Sequence, residues 1–498
     1  MKYISTRGNY KEVSSARAIQ LGMVPPGGLF VPREVPQFSR EEIYKLQEDS
    51  YQEIAYKVLA KYLTDYTEEE LKEAISLAYN GENFAVSEIA SLVKLQKGEY
   101  ILELWHGPTA AFKDMALQLM PQLLTKAVEK LGVEKEIVIL VATSGDTGKA
   151  ALEGFKDVVG TEIIVFYPKE GVSEIQKQQM VTTGGENTAV VAIEGNFDDC
   201  QSEVKQIFSD QEFREELDQS GYKFSSANSI NWGRLVPQII YYLATYSRLL
   251  SREEIKEGEK INITVPTGNF GNILAAYYAT KMGLPANKLV CASNENKVLT
   301  DFLSTGVYDI NREFKKTISP SMDILISSNL ERFLFEITDH DAKKINKWYK
   351  ELNEKGKFEV DKETKDKIRS LFAGYYADET DCLNTINKTY KNYEYVLDPH
   401  TAVGVNCYQQ YKKEREETRP VVIASTASPY KFSPAVLKAL LDADTASGDE
   451  FRIIEALEEK TGWDVHPALE GLKEGERKHN LQARRGEIKE RIEEILQL

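Results

Sequence analysis

Cysteine, histidine and long apolar runs are scarce in this chain, and each scarcity removes a class of function. Four cysteines among 498 residues (Cys200, Cys291, Cys382 and Cys407) lie far apart, with no C-x-x-C pair. A disulfide scaffold and a cysteine zinc site are therefore not expected, and a reducing compartment is. The five histidines are equally scattered, with no H-x-x-x-H pair, so no metal centre is expected. The strongest apolar run, IVILVA from Ile137, is too short to span a bilayer, and the opening MKYISTRGNYKEV lacks the apolar stretch of a signal peptide. Basic residues are outnumbered, 62 against 78 acidic, for a net charge of −16. That argues against a nucleic-acid partner, and an anionic substrate would have to be met by positive charge gathered locally. No repeats or low-complexity segments are seen. The expected setting is the cytoplasm, with a small-molecule substrate, no membrane, and a monomer or homodimer.

What is present is an ordinary globular composition, 42% hydrophobic and 28% charged. At about 100–200 residues per domain it makes roughly two to four packed units. Residues 1–95 read as mainly helical. REEIYKLQEDSYQEIAYKVLAKYL repeats apolar residues at helical spacing, and TEEELKEAISLAY opens with the capping-box pattern Thr67-x-x-Glu70. From residue 96 short β-rich runs alternate with helical patterns: EYILELW, EIVILVAT, TEIIVFYP, NTAVVAIEG, YKFSSAN, INITVPT, KLVCAS, YEYVL and PVVIAST. The alternation predicts an α/β fold with parallel strands and covering helices, and ligands at the carboxyl ends of strands. This region is expected to cover 96–440, interrupted at about 305–392 by a charged helical lobe. The tail, 441–498, is expected to be helical. Its EIKERIEEILQL sets Ile488, Ile492, Ile495 and Leu496 on one stripe that docks on the body.

Three turns follow β-runs and open helices. In VATSGDTGKAAL, Thr143, Ser144, Gly145, Asp146, Thr147 and Gly148 place hydroxyls and glycines at a helix start, suited to a carboxylate or phosphate or simply to capping. A P-loop is excluded, because Thr143 stands where glycine is needed and Ala150 follows Lys149. In INITVPTGNFGNILAAYYATKMG, Gly268-Asn269-Phe270-Gly271-Asn272 has two glycines three apart, which lets backbone N–H groups converge on an anion. It does not meet the dinucleotide pattern G-x-G-x-x-G. In VVIASTASPYKFSPAVL, Thr426 emerges at a strand end with Lys431 soon after; turn chemistry explains this equally well.

The stretch LWHGPTAAFKDMALQLM sets Lys113 among apolar residues behind a Gly-Pro turn. A snorkelling surface lysine is the bland reading. A buried amine has instead a depressed pKa and can form a Schiff base. A lysine, a phosphate cup and hydroxyl-rich turns together point to an aldehyde cofactor carrying a phosphate, pyridoxal phosphate.

At HGPTAAFKD, ATSGDTG, GNFGN and STASPYKF the chain resembles the threonine synthase family, which has the tryptophan-synthase-β-like fold (type II) of pyridoxal-phosphate enzymes. STRGNYKEVSSARAIQLGMVPPGGLFVP, VVAIEGNFDDCQ and SSANSINWGRLVPQI extend the likeness over most of 1–440. The resemblance implies two open sheets with covering helices and a mainly helical N-terminal segment. It implies that Lys113 bonds the cofactor, that Gly268, Asn269, Phe270, Gly271 and Asn272 hold its phosphate, and that Thr426 faces its ring nitrogen. Ser144, Asp146 and Thr147 would lie near the substrate carboxylate or the cofactor's phenolic side. Asn228, Ser229, Asn231 and Arg234 would lie near the substrate, with Arg234 and Lys431 as candidate partners of its phosphate. The family pattern T-A-H-P-A-K-F departs here, with Ser428 and Tyr430 replacing histidine and the second alanine. His106 and His400 read equally as pocket or packing residues.

The implied reaction is the last step of threonine biosynthesis: O-phospho-L-homoserine and water give L-threonine and phosphate by γ-elimination and β-addition. Two readings stand beside it. One is another lyase of the same fold with a neutral leaving group. The other is a catalytically silent ligand-binding relative, against which the presence of Lys113 argues.

Overall fold

The runs EIVILVA, TEIIVFYP and NTAVVAI are apolar on both faces, the pattern of strands covered on either side by helices. They form Glu136–Ala142, Thr161–Pro168 and Thr188–Ile193, adjacent parallel strands within a five-stranded sheet. Tyr222–Ser225 flanks one side and Leu481–Ala483 the other. A second sheet orders six strands as Phe372–Tyr376, Ala286–Ser293, Ile261–Pro266, Val421–Ser425, Glu99–Glu103 and Ser91–Gln96, all pairs parallel but the last. This is the α/β architecture with two open sheets. The computed structural model describes residues 1–143, 145–170, 172–441 and 448–498.

Helices of the N-terminal segment pack on the helix Trp232–Ser251, which is buried along almost its whole length and also meets Asp114–Leu117 and Gly271–Lys281. The capping box forms: Thr67 Oγ1 accepts from the Glu70 N–H, and the Glu70 carboxylate accepts from the Thr67 N–H. Tyr3–Ser5 and Phe30–Pro32 add a small antiparallel ribbon to this segment.

The stretch 305–392 holds the helices Leu330–Ile337, Ala342–Lys355, Lys362–Leu371 and Glu379–Tyr393, and its strand Phe372–Tyr376 completes the edge of the six-stranded sheet. The run YEYVL, expected as a strand, is not one. Asp398 caps the helix Pro399–Arg415, whose Pro399 sits in the first turn, so Tyr395, Val396 and Leu397 enter the core by packing rather than by pairing. In the tail, Ile488–Leu496 buries Ile488, Ile492 and Leu496 against Val138, Ile164 and Val191 of the five-stranded sheet. Each such side chain stabilises by about 1.5–3 kcal/mol when fully buried. Among the described residues no helix is long and apolar enough to cross a membrane.

Candidate active site

The turn after Glu99–Glu103 is fastened to the end of the neighbouring strand Val421–Ser425. Leu104 N–H donates to Ser425 O (3.0 Å), Phe112 N–H to Thr426 O (2.9 Å) and Ser428 N–H to Ala110 O (3.0 Å). Buried Thr426 is thereby held one residue from Lys113. Asp114 closes the turn, accepting from Thr109 N–H at 2.8 Å and Thr109 Oγ1 at 2.7 Å, and burial raises its pKa to about 6. Gly107 is needed there, since a Cβ would stand 2.5 Å from Asp114 Cβ. The helix Asp114–Leu117 stops after one turn. Pro121, near the start of Met120–Lys130, has no N–H to donate and would crowd the Leu117 carbonyl.

Lys113 reaches across from this turn to the other sheet. Its Nζ lies 3.3 Å from Asp146 Oδ2 and 3.5 Å from Ser321 Oγ. Asp146 begins the helix that follows Glu136–Ala142, so the amine bridges the carboxyl ends of strands from both sheets. Asp146 Oδ1 accepts from Lys431 Nζ at 2.7 Å and Gln176 Nε2 at 2.8 Å. Burial alone would raise Asp146; Lys431 and Lys113 overcome it and hold the carboxyl far below the usual range. Burial pushes the Lys113 amine below the ordinary lysine range, Asp146 opposing and Lys431 and Arg234 reinforcing. Gly145 is tightly enclosed at φ 144°, where a Cβ would stand 2.4 Å from Gln176 Oε1.

The loop Gly268–Asn272 ends Ile261–Pro266 and starts the helix Gly271–Lys281. Phe270 takes a left-handed conformation (φ 60°), its ring packed near Phe333 and Phe372, and its side chain caps nothing. Uncapped N–H groups at a helix start are what an anion binds. A Cβ on Gly268 would stand 2.4 Å from Ser321 O, so Ser321 touches the loop through its carbonyl and Lys113 through its hydroxyl. Buried Asn272 receives a hydrogen bond from Tyr242 Oη at Oδ1, and its Nδ2 has no partner.

His400 stands behind Ser321. The Ser321 amide can only donate, so His400 Nε2 accepts it (3.2 Å) and Nδ1 carries the hydrogen toward Asp398 Oδ1 (2.8 Å). His106 pairs instead with Glu103 (2.8 Å), which also accepts from Tyr395 Oη. Lys431 is fully buried and donates as well to Thr109 O. Arg234 is buried, donates from Nη1 to Ala227 O (2.5 Å) and leaves Nε unpartnered. Burial lowers its pKa to about 10. Asn228 and Ser229 are half-buried, and Ser229 Oγ meets Ser328 Oγ at 3.1 Å. Asn231 has other work: it caps Trp232–Ser251, and its Nδ2 donates to Ile19 O and Ser226 O. Thr147 lies in the first turn after Gly145; Ser144 falls outside the described residues. Gln176, Ser321 and Asp398 carried no signal in the sequence beyond their polarity. The one available clue to Ser321 was the nearly uncharged run TISPSMDILISSN inside a charged lobe.

Family models match in three successive blocks: threonine synthase N terminus over residues 2–79, pyridoxal-phosphate dependent enzyme over 88–426, and threonine synthase, C-terminal, over 401–474. Threonine synthase of Pseudomonas aeruginosa is 38% identical over 440 residues, covering 88% of this chain and 90% of that protein. The chain belongs to the threonine synthase family. The crystal structure of pyridoxal-phosphate-bound threonine synthase from Brucella melitensis superposes with a TM-score of 0.88 at 35% identity, covering 100% of both chains. Human threonine synthase-like 1 is 42% identical over 456 residues, 88% of this chain; the chain spans only 60% of that protein's length. Members of this family are pyridoxal-phosphate enzymes of fold type II, and the site here fits that cofactor. A buried amine and an uncapped N–H cup with no room for a Cβ at Gly268 meet at Ser321, and the cup's Asn272 keeps an unpartnered buried Nδ2.

Proposed function

We propose that this chain converts O-phospho-L-homoserine and water into L-threonine and phosphate, acting in the cytoplasm as a monomer or homodimer. Residues 1–95 would then be the family's N-terminal segment, 96–440 the catalytic region and 441–498 a docked tail. The observation that carries the reading is Arg234: a buried guanidinium with a neutral partner at Nη1 and none at Nε, near enough to act on the charge of Lys113. In a chain of net charge −16 it is the locally gathered positive charge that a phosphate ester requires.

Pyridoxal phosphate, when bound, supplies an electron sink for charge left on substrate carbons as protons are removed. Lys113 Nζ, free of its proton more readily than an exposed lysine, takes the Cα proton; Asp146 Oδ2 and Ser321 Oγ aim it. Arg234 offers a planar fork to the substrate phosphate, stabilising it as the Cγ–O bond breaks. Lys431 is engaged by Asp146 and Thr109 and serves that anion at longer range. Asn228, Ser229 and Thr147 would hold the remaining polar groups of the substrate. The Thr426 hydroxyl would hold the ring nitrogen of the cofactor, and being neutral it would stabilise a protonated ring less than a carboxylate and so limit side reactions.

The deciding assay is phosphate release with threonine as co-product. O-phosphohomoserine should react and homoserine or serine should not; equal turnover of the latter would give the reading to a lyase with a neutral leaving group. Arg234→Gln should lower kcat/KM about 10–100-fold, the worth of a charged hydrogen bond. Lys113→Ala should abolish the cofactor's visible absorption band, and a wild type left colourless after cofactor addition would end the claim.

A further inference from the structure

The charged lobe contains one segment almost free of charge, Thr317 to Asn329, and its end is bonded to the Gly268–Asn272 loop. All the hydrogen bonds run in one direction. Ser327 Oγ donates to Gly268 O (3.0 Å), Ser328 N–H to Asn269 Oδ1 (3.4 Å), and Asn329 gives both N–H (3.2 Å) and Nδ2 (3.1 Å) to Asn269 O. The carbonyls of Gly268 and Asn269 are thus engaged by this segment, which leaves the loop's N–H groups for an anion.

One element of this arrangement is fragile. If the Asn329 amide turned over, its oxygen would face Asn269 O and two acceptors would meet. Arg332 forbids that, because its Nη1 donates to Asn329 Oδ1 at 2.7 Å. The same guanidinium donates from Nε to Phe30 O (2.9 Å) and from Nη2 to Ile230 O, within the Asn228–Asn231 turn. It is fully buried over the Trp232 ring, and these three acceptors are neutral oxygens. Such a buried guanidinium is expensive to keep; no carboxylate is bonded to it, and Glu331 and Glu336 of the same helix offset its charge only at longer range.

We propose, resting on the reading of Gly268–Asn272 as the cup for the cofactor phosphate, that Arg332 is a positioning residue for that phosphate. It orients Asn329, which holds the loop with its N–H groups inward, and it ties that loop to the turn on the substrate side.

The test compares binding of pyridoxal phosphate with binding of pyridoxal, which lacks the phosphate, in the full-length protein freed of cofactor. Arg332→Met and Asn329→Leu should each weaken pyridoxal phosphate about tenfold or more. Pyridoxal affinity should stay within about twofold of wild type, since its ring and aldehyde contacts are untouched. The ³¹P resonance of the bound cofactor should shift in the same variants. Equal weakening of both ligands would overturn the proposal in favour of general damage, and so would unchanged affinity for both. Should Arg332→Met fail to fold, Asn329→Leu, which keeps the guanidinium, adds no charge and removes the side-chain contact to Asn269 O, decides on the same criterion.

Discussion

Replacing Asp146 with asparagine should leave the buried lysines poorly compensated. At an effective dielectric constant of about 20, attraction at 2.7 Å to Lys431 is about 6 kcal/mol and at 3.3 Å to Lys113 about 5 kcal/mol. These offset a desolvation penalty of several kcal/mol for each ion, so removing the carboxylate costs about 3–5 kcal/mol net. The loss should depend on pH in a defined sense. Burial already holds the folded Lys113 amine below its unfolded value, and the variant loses the group that raises it back. The folded state then binds fewer protons than the unfolded state, and its stability rises with pH. Urea unfolding followed by tryptophan fluorescence should show the deficit relative to wild type shrinking from about pH 6 to about pH 9. Adding Lys431→Met should recover at least half of it, because a buried pair removed together costs less than either partner alone. A deficit below about 1 kcal/mol, or one that is flat with pH, would refute the reasoning.

Gly268→Ala places a Cβ 2.4 Å from Ser321 O, forcing the loop and the covering segment apart. It should cost about 1–3 kcal/mol and weaken pyridoxal phosphate, read by absorbance titration. Gly154→Ala is harsher, with a Cβ 2.0 Å from the Leu117 carbonyl at the break beside Pro121. It should lower the urea midpoint by the equivalent of about 3 kcal/mol or more, and a neutral outcome would mean that the break yields easily. His400→Leu removes the acceptor of the Ser321 amide, whereas His400→Gln keeps one in reach. Turnover should fall clearly further in the former, and equal losses would sever His400 from the positioning of Ser321.

Much of the scaffold was legible locally. EIVILVA, TEIIVFYP and NTAVVAI became central strands because residues apolar on both faces suit only a covered sheet. Thr67 and Glu70 capped their helix because the capping box needs nothing beyond four residues of chain. YEYVL misled because a short apolar run meets the same burial requirement in a strand or in a packed loop, and Asp398 and Pro399 settled it.

Local chain chemistry set which residues could turn, cap or present an amine: the Gly-Pro turn before Lys113, the glycines of GNFGN, and the hydroxyls at strand ends. These are properties of a residue and its immediate neighbours. Tertiary structure alone decided which of them meet. Ser321 reaches Lys113 across 208 residues, Gln176 and Lys431 share one oxygen of Asp146, and Asn231 caps the long buried helix. Hydrogen bonds and ion pairs act over about 3–4 Å, a distance on which spacing along the chain carries no information once strands from two sheets converge.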